Sequence, residues 1–416
     1  MAQLSDDCFA FGGKLLTLDA AVALIRAETR PVTGVEQVAL VQADGRILAA
    51  DVAAPIDLPP FRNSAVDGYA VRLADLDRTD VLSVMGRLAA GTAATEPLHV
   101  GTARRVFTGA AMPPGADTVF MQEDVELLAG QVRCPPGLKL GSNTRPQGED
   151  IAAGATALSA GLRLRPQDLA LAAALGLRDL PVRRPLRLAL FSTGSELAEP
   201  GSALGPAKLY DANRVLLAAL ARRAGAAVTD LGILPDQRTG IEAALLRASR
   251  DHDLLLTSGG VSAGEEDHVR DAVQAVGSLT FWRLAIKPGR PVAMGQVAGV
   301  PFMGLPGNPV AAFVTFVRVA HPLMAALGGA AMRPLPGYPA VAAFGYRKKA
   351  GRREYVRVRA VPQQDGSLHL HKHPVDGAGI LTSLTKTDGL AELAEDVLSV
   401  VPGTTVLYLP YEGGVL

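Results

Sequence analysis

DLLLTSGGVSAGEEDHVRDAV (253–273), FWRLAIKPGRPVAM (281–294) and VPFMGLPGNP (300–309) are the stretches on which the fold turns. Three short apolar runs each end in a turn rich in glycine or proline. Those turns carry hydroxyls, carboxylates, Lys287 and Arg290. In an open α/β sheet, ligands bind outside the carboxyl ends of the strands. The stretch therefore predicts an oxyanion and phosphate site.

The surrounding sequence supplies the sheet. From LRLALFS (186–192) onward, apolar β-type runs alternate with helical runs: DANRVLLAALARRAGA, VTDLGIL, RTGIEAALLRASR, DLLLTS and EEDHVRDAVQAV. That alternation predicts a largely parallel, doubly wound α/β domain over 185–330. Upstream, TLDAAVALIRAETR (17–30) predicts an amphipathic helix, capped by Thr17 or Asp19 and ended by Pro31. Asp44-Gly45 within 38–52 predicts a hairpin. Residues 80–135 hold short apolar runs split by Gly and Pro, which predicts a β-rich unit inserted over 53–149. RPQDLALAAALGL (165–177) predicts a helix with Pro166 near its start and Gly176 at its end, packed beside helix 17–30. Segments 14–52 and 150–184 then form one discontinuous linking domain. Short strands return over 335–416 and predict a C-terminal β-barrel.

Composition narrows the function. The 416 residues include 41 basic and 41 acidic side chains, a formal net charge of zero, which speaks against a general nucleic-acid or membrane-surface binder. The two cysteines, Cys8 and Cys134, are isolated and build neither a disulfide framework nor a metal site. A reducing cytoplasm fits, and the N-terminus lacks a secretory pattern. The apolar run 310–328 is broken by Arg318, His321 and Pro322 and predicts a buried helix.

Several turns carry candidate chemistry. In STGSEL, the backbone at Ser192, Thr193 and Gly194 can cradle an anion, and Glu196 stands beside it as a magnesium ligand or an acceptor for a base or pterin edge. In TSGGVSAGEED, Gly259 and Gly260 admit a close ligand, and Ser258 and Ser262 add hydroxyls. There Asp267 is the candidate for Mg²⁺, which takes oxygen ligands and shares them with phosphates. In KPGRP, Lys287 and Arg290 suit a doubly charged oxyanion. In GLPGNP, Pro306 and Pro309 stiffen the turn and Asn308 is placed to cap the next helix. Asp236, after LGILP, ends another sheet strand and is a metal or ribose candidate. Asp67, Thr108 and Asp150 are turn residues able to bind or simply to turn. His369, His371 and His373 share one strand face without further ligands nearby.

NSAVDGYAVR, RVFTGAAMPPGAD, MQED, GED, STGSEL, LPD, TSGGVSAGEED, FWRLAIKPGRP and GLPGNP occur in that order. This string resembles the molybdenum-insertase family of MoeA and the gephyrin E domain, from about residue 14 to the C-terminus. The resemblance implies a multidomain α/β fold. Its parts are a MoaB/MogA-like doubly wound domain, a β-rich inserted domain, an elongated linking domain and a C-terminal β-barrel. It also implies a cytoplasmic transferase of molybdenum cofactor biosynthesis that inserts molybdate into adenylylated molybdopterin, with Mg²⁺ and release of AMP. By position, Asp267, Glu196 and Asp236 would serve metal and nucleotide, Lys287 and Arg290 molybdate, and Arg357 would reach in from the barrel. Asp67, Thr108 and Asp150 would come from the other subunit of a homodimer, and Pro306 and Pro309 would shape the floor. In that scheme Asp67, Asp267 and Lys287 are the catalytic set. The implied partners are these small molecules, a second copy, the adenylyltransferase upstream and molybdoenzymes downstream. Neither nucleic acid nor membrane is implied.

The sequence departs from the family pattern at Ala311 and Ala378, where serine is frequent, and at Arg283, where lysine is. Two other readings share parts of the pattern. One is a molybdopterin adenylyltransferase-like nucleotide enzyme. The other is a non-catalytic scaffold or diverged paralogue.

Overall fold

The computed structural model describes residues 15–259 and 268–412. A seven-stranded sheet runs in the order Leu15–Leu16, Gly277–Leu284, Pro291–Val297, Val300–Leu305, Leu254–Ser258, Arg187–Thr193, Ala227–Leu234. All pairings are parallel except the two made by Pro291–Val297. The reversal follows from the link to the next strand. Ala298 and Gly299, at φ 49° and 83°, make a two-residue hairpin turn of the kind that matches strand twist, and parallel neighbours need a crossover far longer than that.

Strand residues alternate between two cores. Leu188, Leu190, Leu254, Leu256, Met294 and Met303 face helices Ala212–Arg223 and Leu18–Glu28 and the segment 309–327. Ala189, Phe191, Leu255, Ala293 and Phe302 face helices Arg238–Asp251 and His268–Val276. Both faces are covered, which is why these strands read as continuous apolar runs. Segment 309–327 is helical throughout and 72% buried, a core helix despite its apolar length. Its middle, Phe316–Ala320, widens into a π-turn just before Pro322, which has no N–H to donate.

Helix Leu18–Glu28 starts at Thr17, whose Oγ1 accepts from Ala20 N at 3.3 Å. The expected partnership with helix Pro166–Ala174 does not form. Leu18, Ala21 and Ile25 pack into the doubly wound core, whereas Ala172 belongs to a separate core with Leu48, Leu158, Leu164 and Val182. Strand Leu15–Leu16, paired with Gly277–Leu284, carries its helix onto that sheet. Asp44-Gly45 is a turn, with Gly45 at φ 70°, but no hairpin flanks it. Val35–Ala39 pairs instead with Asp179–Arg183, and Ile47 bridges to Arg163.

Within 63–133, a six-stranded sheet orders Thr118–Met121, Gly68–Val71, Thr102–Val106, Val81–Leu88, Gln131–Arg133, Glu126–Leu128. A Cβ on Gly68 would stand 1.9 Å from the Phe120 carbonyl oxygen, so only glycine fits. Cys134 is buried beside this sheet, and burial pushes its thiol up to about 11, an unreactive state. In the C-terminal region Arg353–Pro362, Leu368–Lys372, Tyr338–Ala342, Thr405–Pro410 and Gly389–Leu393 close on themselves as a five-stranded barrel. A short strand of the KPGR turn, Ile286–Lys287, adds to the barrel alongside Arg353–Glu354.

Candidate functional site

The reversed strand places the site. Gly277–Leu284 and Val300–Leu305 both run with Leu254–Ser258, so the turn 285–290, which precedes the reversed strand, lies at their carboxyl ends. Ser258, Pro306 and the KPGR turn thus meet at the edge where ligands bind in such sheets.

A cavity of about 510 Å³ opens there, lined by Gly259, Lys287, Pro306, Asn308, Tyr346 and Arg357 among others. Its loops are tied together from behind. Asn213, on helix Ala212–Arg223, donates Nδ2 to Ser258 Oγ at 2.8 Å and to the Gly307 carbonyl at 2.7 Å. Ser258 Oγ donates to the Pro306 carbonyl at 3.2 Å. Gly289, at φ 107°, lies against the helix starting at Pro309; a Cβ there would stand 2.3 Å from Thr315 Oγ1. Asn308 occupies the position before that helix but its side chain makes no cap bond. The barrel loop closes the wall through Val310 N, which donates to the Ala378 carbonyl at 3.0 Å.

Two cations face this space. Lys287 Nζ donates to Tyr346 Oη and to Glu354 Oε2, each at 3.2 Å. Partial burial works against its ammonium, but the Tyr346 bond and the Glu354 charge outweigh that and raise its pKa. Glu354 is itself buried, and also accepts from Tyr346 Oη at 2.9 Å and Arg352 Nη2 at 3.0 Å. Arg357 is held by Nε to Ser383 Oγ and Nη2 to the Gly377 carbonyl, both 3.1 Å. Asp376, paired with Lys372 at 2.9 Å, is the carboxylate on the same wall. Ala311 and Ala378 both line the cavity, so two of the three departures from the family pattern fall on its surface, and Arg283 is not among the lining residues. Arg290 is exposed and not among the lining residues.

Other predicted residues lie along neighbouring strand ends. Ser192 and Thr193 finish Arg187–Thr193; their hydroxyls and that of Thr257 are buried with no hydrogen-bond partner among the described residues. The Glu196 carboxylate folds back over Gly194, within 2.7 Å of where a Cβ would sit. Asp236 follows strand Ala227–Leu234 and is half-buried. Gly260, Ser262 and Asp267 lie outside the described residues.

Asp67 and Thr108 come together elsewhere. Asp67 Oδ1 accepts from Thr108 N at 2.7 Å and Thr108 Oγ1 at 2.8 Å, bonds that hold its carboxyl below the usual carboxylate range. Arg105 stacks over Tyr69 and Phe107 nearby. Asp150 is exposed, its N–H bonded to the Leu58 carbonyl at 2.9 Å. None of these three lines the cavity of the same chain. His369 and His371 flank buried Leu370 on the barrel.

Sequence reasoning missed Asn213, Tyr346 and Glu354. Asn213 stands in the first turn of helix Ala212–Arg223, Glu354 on barrel strand Arg353–Pro362, and Tyr346 on a short strand paired with Ser399–Val400 in a separate sheet; no local pattern marks them.

Three family models match consecutive parts of the chain: the MoeA N-terminal region (domain I and II) over 16–176, a probable molybdopterin binding domain over 189–326, and the MoeA C-terminal region (domain IV) over 339–411. The chain therefore has the multidomain architecture of MoeA proteins. A molybdopterin molybdenumtransferase of Haemophilus influenzae is 37% identical across 95% of this chain and 99% of its own. Molybdopterin molybdenumtransferase 2 of Mycobacterium tuberculosis is 39% identical across 92% and 96%. The crystal structure of a molybdopterin biosynthesis MoeA protein from Pyrococcus horikoshii superposes with a TM-score of 0.80, at 30% identity, over 96% of this chain and all of that one. This chain belongs to the molybdopterin molybdenumtransferase family.

Proposed function

We propose that the chain is a transferase of molybdenum cofactor biosynthesis that inserts molybdate into adenylylated molybdopterin, needs Mg²⁺, and releases AMP. The observation that carries this reading is the pairing of Lys287 and Arg357 on one cavity at the ligand edge of the sheet. A tetrahedral dianion calls for fixed cations, and both side chains are fixed before it arrives: Lys287 by Glu354 and Tyr346, Arg357 by Ser383 and Gly377. The pterin dithiolene supplies the nucleophile, so no serine or cysteine is needed from the protein.

The described carboxylates include no group of three that would enclose a metal. Mg²⁺ binds through one or two carboxylates plus substrate phosphates and water. One or two of Glu196, Asp236 and Asp267 would hold it, and bound there it would neutralise phosphate charge as the pyrophosphate bond breaks. Asp67, Thr108 and Asp150 would complete the cleft from a second subunit. The division into four parts given above goes with this reading.

The test is AMP release from adenylylated molybdopterin with Mg²⁺, with and without molybdate, beside Asp267→Ala. Release that needs molybdate and disappears in the variant supports insertion. No release by folded wild type would remove it and favour a scaffold or diverged paralogue.

A further inference from the structure

A second cavity shares no lining residue with the first. It holds about 330 Å³, near the small end for ligand pockets. It lies where the turn at Asp44, residues 183–186, the end of helix Ala212–Arg223 and helix His321–Leu327 meet. Its wall carries Arg46, Arg163, Arg183, Arg184 and Arg223 against a single carboxylate, Asp44. The chain as a whole balances 41 acids with 41 bases, so this is a concentration of charge rather than a general basicity.

Three of the arginines are held in place by backbone carbonyls. Arg163 donates Nη1 to the Gly45 carbonyl at 2.8 Å and Nη2 to the Ala224 carbonyl at 2.9 Å. Arg183 Nη1 donates to the Thr33 carbonyl at 2.9 Å, and Arg46 Nη2 to the Arg183 carbonyl at 2.8 Å. Carbonyls orient a guanidinium without cancelling its charge. Among the described residues, Arg46 has an acidic partner, Glu36, and the other four have none.

Three glycines make room for them. A Cβ on Gly34 would stand 2.7 Å from Arg184 Nε and Nη2. One on Gly225 would stand 3.0 Å from Arg163 Nη1, and one on Gly329 3.1 Å from Arg183 Nε. Gly225 and Gly329 also take positive φ, at 90° and 77°. Gly34 does not, and the Arg184 guanidinium lies over it.

We propose that this cavity binds a diphosphate group, free or carried by a nucleotide. Guanidinium forks match phosphate oxygens in bidentate pairs. Four uncompensated cations exceed what a single carboxylate would balance, and the volume suits a short phosphate chain.

The test is calorimetric titration of the full chain with pyrophosphate and with ADP, in wild type, Lys287→Ala and the double variant Arg184→Gln/Arg223→Gln. Neither of those arginine side chains makes a hydrogen bond among the described residues; Arg184 bonds through its backbone N–H, which the substitution keeps, so the double variant should melt and release AMP as wild type does. Binding that survives Lys287→Ala and weakens about tenfold or more in the double variant supports the site. Tighter ADP then marks a nucleotide ligand, and tighter pyrophosphate a free one. Two results overturn the proposal: no binding left in Lys287→Ala, or undiminished binding in the double variant. If the latter variant also falls from dimer to monomer in sedimentation, the arginines serve contact between copies instead.

Discussion

Lys287 and Glu354 stand side by side as register partners in a two-residue parallel pairing and close it with an ammonium–carboxylate contact of 3.2 Å. One belongs to the turn of the α/β sheet, the other to the barrel. The barrel thus sets where the cation points. Glu354→Gln keeps the shape and removes the charge. It should cost about 1–3 kcal/mol of stability, since bonds to a charged group are lost. It should also raise the KM for molybdate roughly tenfold more than it lowers kcat. Thermal melts beside molybdate-dependent AMP release check this, and an unchanged KM would remove the positioning role.

Gly289 is the contact on which the same turn rests. Gly289→Ala would drive a methyl toward Thr315 Oγ1, 2.3 Å from the added carbon, at a φ of 107° that alanine resists. The expected result is a folded protein with activity down about tenfold or more, as displacement of a positioned group near 1 Å costs on that scale or beyond. Adding Thr315→Ala relieves the nearer clash and should restore part of the loss.

If the cleft is shared between subunits, Asp67 and Lys287 of one chain serve different sites. Asp67→Ala and Lys287→Ala homodimers should each be inactive. Refolded as a mixture, they should regain about one quarter of wild-type AMP release, because half the dimers are mixed and each holds one intact site. A mixture as inactive as its components would place both residues in the same site.

His321 gives a pH dependence. Burial, and then the charge of Arg163, hold its pKa below the ordinary 6.5. The unfolded chain therefore takes up the proton first as pH falls. The stability from neutral His321 is complete above about 6.5 and is lost as pH drops through the lower folded value. Melting temperature should fall more between pH 7.5 and 5.5 in wild type than in His321→Gln; equal falls would contradict this.

What the sequence showed of the site were its loops. Ser258, Lys287 and Pro306 are legible because strand-ending turns need glycine and proline, and those turns flank chemistry. Glu354 and Asn213 are not, because a buried acid on a strand and an amide on a helix look ordinary until the chain closes around them. The sequence predicts a largely parallel sheet, and the one reversal among the described strands hides in Ala298-Gly299, where alanine holds a positive φ that asparagine would have advertised. Asp44-Gly45 misled in the opposite way: the turn exists, but its flanks pair with residues far along the chain. Helix 18–28 was periodic enough to predict, yet periodicity names a buried face and not the partner that buries it.

The hairpin from Pro291 to Leu305 works as a ruler. One end of each arm is fixed at Ala298-Gly299, and the other ends carry the cationic turn and the Pro306 loop, so the gap across the cavity is counted in residues. Side chains on these arms alternate between the two cores, Met294 and Met303 toward one, Ala293 and Phe302 toward the other. Losing a single residue from either arm would exchange those faces as well as shift the cation by a rung. The spacing between Lys287 and Pro306 is therefore closed to length variation, and adaptation to a different oxyanion has to work through side chains on the walls, such as those at 311 and 378.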